Sequence, residues 1–344
     1  MSKKSAITLK KIASNLGISI STVSRALSDH QDISDSTKER VNAIAKKLNY
    51  VPNLFAKGFR THKTNIIGVI VPNIDHYFTS TLLKGVMSEA EEQGYKVIIS
   101  ESNNNEQRQT EMLYTMNQFG VDGILLSLAN KTKNIDDLLD ILEHTPLILF
   151  DKVSTKVPCS QIIIDDEDAA FKAVEHLIQT GKKRIAIIKD LESSFISEKR
   201  YLGYLRALKE YQLEIDENII LSANEISLEH GKLNAAILLN LPQRPDAIFA
   251  ITDDAAVGVI NVLKQNQVRI PEDIAVVGFS NSINSTIIEP NLTTIDQPGN
   301  KIGSVAIQYL LNEIRNEHQL QNKTIVIRTN LIIRESSFRP TSDI

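Results

Sequence analysis

Apolar positions recur at helical spacing three times within the first fifty residues. Leu9, Ile12, Ala13 and Leu16 fall at i, i+3, i+4 and i+7, one face of a helix that Thr8 is placed to cap through its hydroxyl and Gly17 to end. A second short helix follows, with Val23, Ala26 and Leu27 inward and Ser21, Thr22, Ser24 and Arg25 outward. Small Ala13 lets the two helices approach closely at a steep angle. Ser34 or Ser36 caps a third helix, whose stripe is Val41, Ile44, Ala45 and Leu48. Three facing stripes enclose one small core. The first two helices have the form of a helix-turn-helix, whose second helix fits the major groove of DNA. An ordinary helical hairpin with a solvated face has the same pattern, so the decision rests on the neighbouring segments.

The next stretch, YVPNLFAKGFRTHKTN (50–65), changes character. Pro52 suits a first helical turn, and residues 53–60 have length for about two turns, marginal in water and weakened further by Gly58. Ala56 and Phe59 are its inward candidates and Lys57, Arg60 and Lys63 its charges. An apolar tip with basic flanks is what a wedge into the minor groove requires. The segment reads as a tether that is helical only against a partner, or else as a solvated connector.

From Ile66 the period changes again. Short apolar runs at 66–71, 96–100, 123–127 and 147–150 alternate with helical segments around 79–93, 106–119 and 134–144. A second series has runs at 161–164, 184–189, 218–221, 247–251 and 274–279, separated by helices around 168–180, 198–211, 228–240 and 254–266. Continuous apolar strands joined by helices predict parallel sheets covered on both faces, and two series predict two α/β lobes. LTTI (292–295), a helix near 300–314 and TIVIRTNLIIR (324–334) come last and are placed to exchange strands between the lobes. The predicted architecture is a small all-α head, residues 1–50, a tether at 51–64, and a two-lobed α/β body at 65–344. Its first lobe spans about 65–163 and 296–322, its second about 164–295 and 323–344.

Charge sharpens this division. The 344-residue chain carries net −4, but residues 1–63 hold 12 Lys or Arg against 4 Asp or Glu, and the rest hold 26 against 38. A head of +8 on a body of −12 points to nucleic acid as the partner of the head. Cys159 is the single cysteine, which excludes disulfide frameworks and multi-cysteine metal sites. The seven histidines show no metal-ligand spacing, no glycine-rich nucleotide loop is present, and nothing marks a nucleophile or a cofactor. The start lacks a secretory apolar core and no run is long enough to span a bilayer, so a cytoplasmic protein is expected. In open parallel sheets ligands sit beyond the carboxyl ends of the strands. The residues there are Asn73–Phe78, Asp151, Asp165–Asp166, Thr252–Asp253 and Ser280–Asn281.

TLKKIASNLGISISTVSRAL, ISDSTKERVNAIAKKLNYVPN and NIIGVIVPNI, followed by VDGILLS, AVEHLIQTGKKRIAII, RYLGYLRAL, IPEDIAVVGFS and LTTIDQP, closely resemble the LacI/GalR family of bacterial transcription regulators over nearly the whole chain. The resemblance implies a homodimer whose two heads read a pseudo-palindromic operator. By position, Ile20, Ser21 and Arg25 match the family's base-reading residues, and Thr8, Thr22, Ser24, Ser34 and Thr37 match phosphate contacts. Helix capping is the plainer role for those hydroxyls. The tether contributes Asn53, Ala56 and Phe59, with Phe59 in the place of the family's wedging leucine. In the body, similar to periplasmic sugar-binding proteins, Arg200 and Asp151 match cleft positions that contact effector, and Tyr77 and Phe78 an aromatic pair lining the cleft in some members. An ion pair between lobes is the plainer role for Arg200.

Three departures bear on the ligand. Ser280, with Asn281 next, stands where sugar-binding members have an acidic residue; Thr252 replaces an asparagine before Asp253; and Ile226 replaces a stacking aromatic. A saccharide remains the first expectation, without identifying residues. The chain ends without the apolar heptad tail through which some members tetramerise, so dimers are expected. The leading reading is an effector-gated, operator-binding regulator, most simply a repressor. A transport-type solute-binding protein explains the lobes but not the basic head, and a sugar-acting enzyme lacks support among the residues.

Overall fold

The computed structural model describes residues 7–50, 63–130, 132–191, 195–223, 226–315 and 322–338. The chain divides into two compact units, Met1–Thr64 and Asn65–Ile344, taken here in turn.

The head holds three helices: α1 (Leu9–Leu16), α2 (Ile20–Leu27) and α3 (Asp35–Lys47). Ile12, Ala13, Val23, Ala26, Val41 and Ala45 form its buried core. Gly17 ends α1 in the left-handed conformation (φ 64°), where glycine avoids the strain of a Cβ. Ser19 then starts α2, its hydroxyl accepting from Thr22 N at 3.0 Å. Two capping expectations fail. Thr8 and Ser34 occupy the N-cap positions of α1 and α3, but neither hydroxyl accepts a capping hydrogen bond. Ser34 Oγ instead pairs with the hydroxyls of Ser36 and Thr37. The two-turn helix expected at 53–60, with Asn53, Ala56 and Phe59, lies outside the described residues.

The second unit contains two six-stranded sheets. The first comprises β1 (Ile66–Val71), β2 (Lys96–Glu101), β3 (Gly123–Leu126), β4 (Leu147–Phe150), β5 (Gln161–Ile164) and β11 (Thr324–Ile327), in the order β11-β5-β4-β3-β1-β2 and parallel throughout. The second comprises β6 (Ile185–Asp190), β7 (Ile220–Ala223), β8 (Ala247–Ala250), β9 (Ala275–Ser280), β10 (Thr293–Asp296) and β12 (Asn330–Ile332), in the order β12-β10-β9-β8-β6-β7, with β12 antiparallel to β10. The central strands are buried on both faces, which is why they read as unbroken apolar runs. Helices α4 (Tyr77–Glu92) and α12 (Gly299–Ile314) pack together on the first sheet; α7 (Asp166–Gln179) packs on α8 (Phe195–Glu210), and α9 (Leu228–Leu239) on α10 (Asp253–Gln265), on the second. None of the helices among the described residues is long and apolar enough to cross a membrane.

The chain crosses between lobes after β5, after β10 and after β11. The last crossing corrects the expected boundary. The sequence pattern places TIVIRTNLIIR in the second lobe from residue 323, but Thr324–Ile327 pairs in parallel with Gln161–Ile164 of the first sheet, and only Asn330–Ile332 reaches the second. Both halves are apolar and extended, so their pattern alone cannot say which sheet either joins.

Helix pairs within each lobe meet at backbone distance. A Cβ on Gly85 would lie 2.1 Å from Asn300 O, one on Gly203 2.2 Å from Glu167 O, and one on Gly258 2.1 Å from Leu228 O. Real Cβ atoms do not approach backbone that closely, so an added methyl must push the helices apart. Gly258→Ala is expected to destabilise the body by about 1–3 kcal/mol through this overpacking, read as a lower urea midpoint at unchanged slope. An unaltered midpoint would show that the α9–α10 contact is loose.

Candidate nucleic-acid interface and ligand cleft

In the head, α2 buries Val23 and Ala26 and turns Ile20, Ser21 and Arg25 outward. Ile20 is 47% exposed, so the helix presents an apolar side chain to solvent. Arg25 Nη1 lies 3.9 Å from Asp32 Oδ2, with both side chains more than half exposed, a pair worth little in water and readily exchanged for another acceptor. Thr22 and Ser24 are half-buried rather than fully outward, and Thr22 Oγ1 pairs with Ser19 Oγ at 2.8 Å. Thr8 and Ser34 are exposed and Thr37 half-buried. The surface thus combines one apolar tip, one guanidinium and a rim of hydroxyls, groups able to meet base edges and phosphates.

Within the body, the carboxyl ends of the strands in both sheets open onto a cleft of about 510 Å³, within the range of small-molecule sites. Of the eight body residues expected to contact effector, seven line it: Tyr77, Phe78, Asp151, Arg200, Thr252, Asp253 and Ser280. Asp165 and Asp166 of the strand-end list do not; Asp165 caps α7 by accepting from Asp168 N, and Asp166 holds Arg200. Asn281 does not line it either. Its Nδ2 donates to Asp296 Oδ1 at 2.9 Å and its Oδ1 accepts from Arg334 Nη2 at 2.8 Å, so the amide is spent on scaffold; it borders only a smaller neighbouring depression.

Several lining side chains are themselves held by the fold. Arg200 is almost wholly buried. Its Nε donates to Asp166 Oδ1 at 2.8 Å, its Nη1 to Ile251 O at 2.6 Å, and its guanidinium lies 3.5 Å from the centre of the Phe279 ring. The ion pair is therefore inside the second lobe rather than between lobes. Burial raises the pKa of Asp166, opposed by the Arg200 charge beside it. Truncating Arg200 would strand that carboxylate at a cost of about 3–5 kcal/mol, so the change tests folding before it tests ligand. Asp253 accepts from Thr294 Oγ1 at 2.5 Å and from Ser282 N at 2.6 Å, one bond to each oxygen, and burial pushes its pKa up to about 6. Thr252 caps α10 by accepting from Ala255 N at 3.3 Å, and Ser280 Oγ donates to Gln297 Oε1 at 2.8 Å.

Asp151 is half-buried in the left-handed conformation (φ 59°) at the end of β4, and Ser127 Oγ donates to its Oδ2 at 3.3 Å. Burial raises its pKa to about 6, against the pull of Lys152 and Arg200 and with the push of Asp166.

Sequence reasoning missed Asn103 and Asn104 after β2, Asn130 after β3, Lys152 beside Asp151, Asp190 at the end of β6 and Gln297 after β10, all of which line the cleft. The strand-end rule that found Asp151 and Ser280 reaches these too once applied to every strand.

A helix-turn-helix head and a strand-end cleft in one chain define a DNA-binding regulator with a small-molecule receptor. Residues 8–53 match the family of bacterial regulatory proteins, lacI family, and residues 174–337 match the periplasmic binding protein-like domain. The chain is 34% identical over 331 residues to the NTD biosynthesis operon regulator NtdR of Bacillus subtilis (strain 168), covering 96% of this chain and 99% of that protein. It is similar to the transcriptional regulator CelR–cellobiose complex at 26% identity (TM-score 0.73, 96% of this chain and 99% of the other). It shares its fold with the Lac repressor dimer bound to operator and the anti-inducer ONPF at 24% identity (TM-score 0.86, 97% and 100%). The chain belongs to the LacI family of DNA-binding transcription regulators, and its body is the effector-binding domain of such a regulator. The relatives are regulators rather than enzymes, and the transport-type reading is not favoured.

Asp151 supplies a pH test. Its native pKa near 6 exceeds the ordinary 3.8, so the folded state holds a proton that the unfolded chain releases, and stability falls as pH rises through that interval. Asp151→Asn, which tolerates the left-handed backbone, should lessen this fall, Asp253 keeping its own share, and leave the ligand-free protein more stable than wild type above pH 6. Parallel melting curves from pH 4 to pH 8 for the two proteins would contradict the assignment.

Proposed function

We propose that the chain is an operator-binding repressor, acting as a homodimer, whose DNA affinity is set by a polar small molecule, a sugar or sugar derivative, in the body cleft. The observation that carries this reading is the pairing, in one chain, of an outward Ile20–Ser21–Arg25 surface on α2 with a strand-end cleft rich in amides, carboxylates and hydroxyls. Arg25 reads a guanine edge with its two-pronged donor, Ile20 packs on a thymine methyl, and Ser21 completes the base contacts. Thr8, Thr22, Ser24, Ser34 and Thr37 hold phosphates and fix the register; the capping bonds that Thr8 and Ser34 do not make are consistent with that use. Asn53, Ala56 and Phe59 remain the tether's proposed DNA contacts, with Phe59 as wedge.

In the cleft, Tyr77 and Phe78 offer apolar walls, while Asp151, Arg200, Thr252 and Ser280 offer polar groups. Asp253 acts through the loop it holds. The similarity to the CelR–cellobiose complex supports a saccharide class. Ligand bridging the two walls changes the angle between lobes, and the three crossings are where that rotation is absorbed. Residues 51–64 transmit the change to the head.

Selection of bound fragments from total genomic DNA, followed by operator titrations with a sugar panel, tests the reading; fragment-independent retention would refute it. Arg25→Ala should weaken a selected operator by about 1–3 kcal/mol while leaving most salt-sensitive, nonspecific binding intact. Equal losses on both would assign Arg25 to phosphate. The coupling must also be reciprocal: an effector that shifts operator affinity by some factor must itself be shifted by operator through the same factor. Calorimetry with and without operator measures this, and an effector affinity indifferent to DNA would dismiss gating.

A further inference from the structure

We propose that the first-lobe wall of the cleft carries an oxyanion subsite, built from Lys152, Asn104 and Asn130, that receives a carboxylate or phosphate group of the effector. The proposal rests on the reading of the cleft as the effector site and narrows that effector to an anionic sugar derivative.

Lys152 follows Asp151 at the end of β4 and is half-buried against the cleft. Its Nζ donates to Asn130 Oδ1 at 2.5 Å and to Asn104 Oδ1 at 3.4 Å. Both acceptors are neutral. Among the described residues no carboxylate comes within 4.0 Å of this ammonium, although Asp151 and Asp190 are near enough to act on it through space. Burial lowers its pKa, with the Arg200 charge acting the same way and Asp151 and Asp190 opposing it. An ammonium has three N–H groups, and the third finds no acceptor among the described residues.

The two asparagines extend the donor set. A lysine can only donate, so each carboxamide must turn its oxygen to Nζ, which directs its NH2 group elsewhere. No described residue accepts from Asn104 Nδ2 or Asn130 Nδ2, and both residues line the cleft. Arg200 Nη2, on the opposite wall, likewise has no described acceptor, its Nε and Nη1 being taken. The wall therefore offers a charged donor flanked by two amide donors, with a further guanidinium donor across the gap. A neutral hydroxyl would satisfy one of these groups; an oxyanion satisfies several and supplies the missing charge, in the short, strong class of charge-assisted bonds. The nearby carboxylates do not fill this role. Asp151 receives Ser127, and Asp190 belongs to the other wall.

The test uses the full-length protein and inorganic phosphate, with chloride at matched ionic strength as reference. Phosphate should raise the melting temperature and give a measurable heat of binding, and Lys152→Met should weaken that binding by roughly tenfold or more, the scale of one charge-assisted bond. Asn104→Gly, at an exposed position whose left-handed backbone (φ 54°) an alanine would strain, should weaken it less; it serves as the test should Lys152→Met fail to fold. Phosphate that binds Lys152→Met as well as wild type, or that binds neither, overturns the subsite. Phosphate that binds through Lys152, while none of a panel of sugar phosphates long enough to bridge both walls shifts operator affinity, upholds the subsite and refutes the effector reading of the cleft.

Discussion

Arg200 is the point at which the second lobe, the cleft and the chain's path between lobes meet. Its guanidinium reaches Asp166 at the start of α7, one residue beyond the first crossing, the carbonyl of Ile251 just past β8, and the face of Phe279 in β9. Three segments far apart in sequence are thereby held to one another at the carboxyl end of the sheet. A buried ion pair of this kind is a weak source of net stability, because desolvating both charges offsets most of their attraction. Its value here is geometric. It leaves Nη2 of a cleft-lining arginine without a described acceptor while Nε and Nη1 are tied down, so a ligand meets a donor whose position is already fixed and whose ordering entropy has already been lost.

Much of the architecture was legible because parallel strands buried on both faces leave an unmistakable trace, as in IIGVIV, LILF and AIFAI. The helical head was legible for the complementary reason: Ile12, Val23 and Val41 sit on stripes at helical period, and Gly17 breaks the first at the place a left-handed turn is needed. What escaped the sequence depended on partners rather than on pattern. TIVIRTNLIIR divides between two sheets because Thr324–Ile327 finds β5 and Asn330–Ile332 finds β10, information that resides in the partner strands. Asn281 looked like a cleft residue until Asp296 and Arg334 claimed its amide. Asp253 sits in the cleft wall, yet one of its oxygens is occupied by Thr294 of β10 and the other by Ser282 in the loop after β9. Asn104, Asn130 and Lys152 are ordinary strand-end residues in a line of text; only their convergence makes them a group.

The three departures from the sugar-binding pattern take on a common meaning once the bonds are visible. Ser280 and Thr252 spend their hydroxyls on Gln297 and on the first turn of α10, and Ile226 adds an apolar wall without stacking or polar capacity. The second-lobe wall is thus comparatively self-satisfied. The open donors lie mainly on the first-lobe wall, which shifts the burden of recognition to the ends of β2, β3 and β4.

The glycine contacts carry a last implication. Where Gly85, Gly203 and Gly258 let helices touch backbone to backbone, no soft layer of side chains remains to absorb strain between them. Each half of the body then behaves as a stiff plate, and whatever is bound between the plates can be felt elsewhere only as a tilt. Such a device tolerates wide change in what it senses: the loops at the strand ends can be rewritten for a new chemical while the lever that reports occupancy stays the same.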